Sequence, residues 1–173
     1  MTLRRWFDRT FCFDHLTAED YPFLVERLRG APARVTDKLQ ALSPEILTRR
    51  EGESWSLQEH LGHLTFLDSL HDGRLDDYDA GAEALRPADL ENRRTHEGRL
   101  NERVLPDLLA AFGTARGRLV ARLDEWEPER VLVTAVHPRL RQPMRLVDMV
   151  FFVAEHDDHH LTAMNELGGR ART

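Results

Sequence analysis

Nine histidines punctuate this chain, and five of them fall in two tight groups: His60 and His63 three apart, and His156, His159 and His160 within five residues. His156 and His160 are spaced by four, which on a helix puts their side chains on one face with Cβ atoms about 5–6 Å apart. Two imidazoles at that distance can share one metal ion. Stepping back by fours from His160 gives His156, Phe152 and Asp148, flanked by Met149, Val153 and Met164. The pair thus extends a largely apolar row that should face a core, while His159 turns roughly 100° away, toward solvent or a helix boundary. A third ligand should come from a neighbouring helix. In Glu59-His60-Leu61-Gly62-His63-Leu64 both His60 and His63 fall within or beside the apolar arc, and periodicity does not choose between them. Gly62 inside that helix suggests close approach of another element. A lone histidine on an apolar face is ordinarily a hydrogen-bonded core residue; the two groups together point to metal. Three protein ligands leave an open position for water or substrate, as in catalytic sites. Imidazole suits zinc, nickel, iron or copper alike. A zincin is excluded, because Asp157 stands where His-Glu-x-x-His needs glutamate.

The elements that must position these groups are helical. One short helix is expected over Asp20–Arg29, ending at Gly30. A longer one starts near Pro32, with Ala31, Val35, Leu39 and Leu42 on one face, and stops at Ser43-Pro44. The next begins at Ser54 or Ser56 as cap and runs through Leu57, Leu61, Leu64, Leu67 and Leu70 to about Tyr78. Residues 79–100 read as a connection with a short helix from Asp89. A third long helix spans about Glu102–Leu123, with Pro106 in its first turn. Residues 124–143 carry Pro128, Pro138 and Pro143 and read as a turn-rich link with no strand alternation. The last helix runs from about Met144 to Leu167, closed by Gly168-Gly169. The class is all-α, a four-helix bundle.

Composition narrows the partners. With 173 residues, 41% hydrophobic and 31% charged, the chain has the profile of a soluble protein forming a single domain over 1–173. Lys and Arg number 24 against 30 Asp and Glu, a net charge of −6, which argues against nucleic-acid binding. The longest apolar run, Met149–Ala154, is too short to span a bilayer, and Trp6–Thr10 interrupts any signal-peptide core. A cytoplasmic location is expected, and the single Cys12 has no intrachain partner. Cys12 reads as a small buried or half-buried hydrophobe.

Trp55-Ser56-Leu57-Gln58-Glu59-His60-Leu61-Gly62-His63-Leu64 and Ala154-Glu155-His156-Asp157-Asp158-His159-His160-Leu161 resemble the DinB-like (YfiT-like) superfamily of metal-dependent four-helix proteins. The resemblance extends over most of the chain. It implies up-down-down-up topology and a divalent metal, zinc or nickel first, held by three histidines. It also assigns the ligands as His63, His156 and His160, which leaves His60 a packing or supporting role. Characterised members resemble thiol transferases, isomerases or hydrolases, so the implied partner is a small-molecule substrate, with a low-molecular-weight thiol as one class. A homodimer is compatible with the resemblance.

Several residues could assist. Glu59 lies four before His63 on nearly the same face and is the acidic neighbour aimed nearest the site, hence the candidate base. Glu155 and Asp157 turn away from His156. A metal-bound thiol would need no such base, whereas a metal-bound water would. Asp148 could accept from a ligating imidazole or act as a helix-start acid. His137 reads as part of a solvated loop, and Asn92, His96 and Asn101 as pocket or loop polarity.

Overall fold

Gly30 divides the first arm of the protein, in a computed structural model that describes residues 3–170, into α1 (Tyr21–Arg29) and α2 (Ala31–Leu39). Each half carries a proline in its first turn, where a missing amide hydrogen matters least. A short α3 (Pro44–Thr48) leads to α4 (Leu57–Asp79). There Ser56 Oγ accepts from the Glu59 amide (3.2 Å), and the Glu59 carboxylate accepts from the Ser56 amide (2.9 Å), closing a capping box. The connection that follows contains α5 (Arg93–Glu97), then come α6 (Leu105–Asp124), a hairpin of β1 (Thr134–His137) and β2 (Gln142–Arg145), and α7 (Leu146–Arg170).

Side-chain contacts fix the helix directions. Arg27 and Arg34 reach Asp158 while Lys38 reaches Asn165, so the first arm runs parallel to α7. Arg116 meets Asp68 and Arg122 meets Asp72 and Asp76, so α6 runs parallel to α4. Tyr21 Oη donates to the Leu123 carbonyl while Arg116, earlier on α6, reaches that of Leu28, so the first arm and α6 are antiparallel. Tyr78, near the end of α4, donates to the Met144 carbonyl just before α7, and these two helices are also antiparallel. The protein is a four-helix bundle in up-down-down-up order, with residues 80–104 as the crossover that parallel neighbours require.

Three local expectations change. The turn-rich link holds an antiparallel hairpin, Thr134 facing Arg145 and His137 facing Gln142. Four-residue strands, one containing Pro143, offer too short an alternation to detect. The last helix runs through Gly168-Gly169 to Arg170 instead of stopping there. The third begins at Leu105, three residues later than expected, with Pro106 again in its first turn.

The apolar core comes in two parts. One gathers α1, the hairpin and the first half of α7; the other gathers α2, the start of α4 and the end of α7. Between them runs a polar layer: His63, Asp68 and His71 from α4, Arg116 from α6, and His156, Asp157 and His160 from α7, all buried. Buried polar groups are tolerated only when paired or put to use, so this layer is where function must be sought.

Candidate metal centre

The antiparallel crossing of α4 and α7 brings His63 against His156 and His160. One nitrogen from each lies within 4.8 Å of the others. His156 Nε2 and His160 Nε2 are 3.1 Å apart, near the roughly 3.3 Å separating donors around an ion held at zinc–nitrogen length. The outer nitrogens are occupied. His63 Nδ1 lies 3.3 Å from Thr95 Oγ1 of α5, and His160 Nδ1 lies 2.7 Å from His60 Nδ1. Ligation through Nε2 would direct the Nδ1 proton of His63 to Thr95 and that of His160 to His60, the arrangement of metal-ligating imidazoles. His60 therefore supports His160 from behind.

Thr95 reaches this point because Gly62 lets the crossover press onto α4. A Cβ on Gly62 would come within 2.5 Å of the Leu100 side chain, and Gln58 Nε2 donates to the Leu100 carbonyl (2.7 Å). The close approach expected from the glycine is present.

Burial keeps the cluster neutral. It pushes His63 down to about 3 and His60 to about 4, with neighbouring imidazoles adding to the effect, and it holds His156 and His160 well below the usual histidine range. Neutral imidazole is the ligating form. The indole of Trp6 meets His156 edge-on (4.8 Å), and that of Trp55 stacks over His160 (6.1 Å). The cluster opens onto a cavity of about 830 Å³, lined by both indoles and by His60, His63, His156 and His160. An open cavity beside three convergent nitrogens leaves room for a further ligand, which closed structural metal sites do not.

The sequence model of one family, the DinB superfamily, matches residues 27–164. The chain belongs to the DinB superfamily. Among solved structures it is similar to YfiT from Bacillus subtilis, described as a probable metal-dependent hydrolase with an unusual four-helix bundle topology, at 18% identity, 94% coverage of each chain and a TM-score of 0.80. A structural-genomics protein from Streptococcus pneumoniae is similar at 12% identity, 91% coverage of each chain and a TM-score of 0.64. No curated protein sequence matches. At these identities the structural likeness speaks to the fold, and the site of this DinB-superfamily chain rests on its own geometry. Among the described residues, no helix is long and apolar enough to cross a membrane.

Glu59 is placed differently from the expected base. Its carboxylate accepts from Arg50 Nε (2.8 Å) and from the Ser56 amide, pairs with the Arg50 Nη2 group, and closes the cap of α4. Burial works to raise its pKa, but Arg50 and the Ser56 amide outweigh it and hold it below the usual range. A carboxylate so engaged is a poor proton acceptor. Glu59→Gln should therefore lower stability by about 1–2 kcal/mol through the cap and ion pair, with metal content unchanged. Urea denaturation and metal analysis of the same sample check this; loss of metal without loss of stability would return Glu59 to the site.

Asp148 is a helix-start acid, accepting from the Arg145 amide (2.8 Å) and pairing with its guanidinium. Cys12 is exposed rather than buried, its thiol 3.3 Å from an Asp14 carboxylate oxygen. His159 is half-buried against Trp6, 5.6 Å between ring centres. Asn92 lines the cavity, His96 meets Trp55 edge-on, and Asn101 accepts from Ser56. His137 is buried on β1, its ring 5.2 Å from Phe152, and faces the cavity rather than solvent. Among the cavity residues that the sequence did not single out are His71 and Arg74. Their signal was present: steps of three and four from His63 lead through Leu67 to His71 and Arg74 on one face of α4.

Proposed function

We propose that this DinB-superfamily protein is a metal-dependent enzyme acting on a small molecule in its central cavity, with one divalent ion, zinc or nickel, held by His63, His156 and His160. The observation that carries this reading is the convergence of three neutral, buried imidazoles on the wall of a cavity instead of in a sealed core. Such an ion lowers the pKa of a thiol or water coordinated to it. The chain's own residues do the rest. Thr95 and His60 stand behind two of the ligands as hydrogen-bond partners for their Nδ1 atoms, while Trp6 and Trp55 line the site.

Transfer of a low-molecular-weight thiol to an electrophile is the favoured reaction. Its support is the engagement of Glu59 at the helix cap, which leaves thiol chemistry, with its smaller need for a base, the better match. Hydrolysis is the second reading, supported by the description of YfiT. A metal-binding module without turnover is the alternative outside enzymology. Metal-loaded protein should be incubated with activated electrophiles, with and without glutathione, cysteine, bacillithiol or mycothiol. Thiol-dependent product, reduced at least about 100-fold in His156→Ala/His160→Ala, is expected. Thiol-independent turnover would establish the hydrolase, and no turnover at all would favour the module.

A further inference from the structure

We infer that the cavity holds a second recognition site beside the histidine cluster, a pocket for the oxyanion of the substrate, carboxylate or phosphate, formed by Arg74, His137 and Arg139. The inference deepens the enzyme reading and rests on the cavity being a substrate site.

The hydrogen-bond pattern requires an acceptor there. The Leu140 amide donates to His137 Nδ1 (3.2 Å), so the proton of the neutral ring sits on Nε2. That Nε2–H faces Arg74 Nη1 at 3.3 Å, and a guanidinium nitrogen has no lone pair to offer. Two donors thus point at each other on a cavity wall. His137 is only 3% exposed and Arg74 only 2%, so bulk water does not relieve them. An oxygen carrying negative charge, accepting from both, does.

Arg139 supplies a further cation. It sits in the hairpin turn with Nη2 buried and without a hydrogen-bond partner, its guanidinium over the rings of Phe7 (5.3 Å) and Phe152 (5.6 Å). Among the described residues no carboxylate pairs with Arg74 or Arg139, although the fold pairs many of its other arginines. Asp77, the acid whose field reaches Arg74, is bound through both oxygens to Arg86. Tyr78 donates its hydroxyl to the Met144 carbonyl. His71, three residues before Arg74, also lines the cavity, with Nδ1 buried and unpartnered. Burial lowers Arg74 to about 10, which still leaves it cationic at neutral pH.

The position fits a substrate that spans both sites. Phe152 packs on His137 and on Trp6 (5.0 Å), and Trp6 packs on His156. The donors therefore lie two packed aromatic side chains, Phe152 and Trp6, from the cluster. A molecule anchored by its anionic end at Arg74 and Arg139 would present its reactive end to the histidines.

The test is calorimetric titration of chelator-treated protein with inorganic phosphate, phenyl phosphate, acetate or succinate at constant ionic strength, with chloride as control. Wild type should bind at least one oxyanion class above the chloride control, and the tighter class identifies the anionic group. Arg139→Gln and Arg74→Gln should each weaken binding by tenfold or more. Arg139, half-exposed in a turn, decides the matter if Arg74→Gln does not fold by circular dichroism. His156→Ala/His160→Ala should retain binding, which separates this pocket from the metal reading. No binding above chloride in wild type, or equal affinity in folded Arg139→Gln, would overturn the inference.

Discussion

Arg116→Met should destabilise the protein by about 3–5 kcal/mol, the loss expected when one partner of a buried ion network is removed. Arg116 crosses the bundle between the two apolar cores. Its Nε lies 3.1 Å from both Asp68 oxygens, its Nη2 lies 2.8 Å from Asp68 Oδ1 and 3.0 Å from Asp157 Oδ1, and all three side chains are 1% exposed. Without the guanidinium, two carboxylates face each other in a space closed to water. Even in the intact protein, burial raises Asp68 to about 7; Arg116 opposes the rise, and the charge of Asp157 adds to it. The sign follows. A carboxyl whose folded pKa lies above its unfolded value of 3.8 favours folding most when protonated, and that contribution is lost as pH rises through about 7. The variant should thus be weaker at pH 8 than at pH 6. At roughly 2–4 °C per kcal/mol for a chain of this size, Tm should fall by about 6–20 °C. Urea denaturation at both pH values measures it, and a loss under about 1 kcal/mol at each would show that the triad is dispensable. Asp157 adjoins His156, and Asp68 shares α4 with His63, so the same triad sets the rotation at which α4 and α7 present their histidines. Some metal affinity should disappear with it.

How far the sequence leads depends on the range of the interaction. The helices of the bundle were legible because each carries an apolar stripe, over many turns in α4, α6 and α7 and over two in α2, and the histidine cluster because a four-residue spacing maps directly onto one face. The short hairpin was not, since each strand has only four residues and its pairing is a contact between segments. Glu59 illustrates the same limit. Spacing places it on the His63 face, yet the Ser56 amide and Arg50, both close in sequence, take its carboxylate first. Arg116 stood in the α6 stripe between Phe112 and Leu119, where a charge is conspicuous, but its partners lie 48 and 41 residues away. His137 reads as loop polarity because only the fold carries it to Arg74.

Removing the histidine ligands should have the other large effect, together with a distinctive acid response. His60 and His63 titrate in the folded chain at about 4 and about 3, against 6.5 when unfolded. Folded values below unfolded ones mean that stability is fully present above pH 6.5 and falls as pH drops toward 4 and 3. Each such group removes about 1.4 kcal/mol per pH unit over that window. A solvent-exposed histidine site would release metal near pH 6.5; burial moves ligand protonation lower here, so release should coincide with acid unfolding. Bound metal, by stabilising the folded state, should shift both to lower pH. A fall in metal content near pH 6.5 with the fold intact would contradict this.

The most direct test of the account is metal content. Untagged protein is stripped with chelator, dialysed against zinc or nickel, freed of excess, and analysed by mass spectrometry alongside His63→Ala and His156→Ala/His160→Ala, with circular dichroism to confirm folding. Wild type should hold about one ion per chain and either folded variant less than about a tenth of that, since loss of a single ligand already costs much of the affinity of a three-histidine site. Equal metal content in wild type and the double variant, or none in wild type, would contradict it.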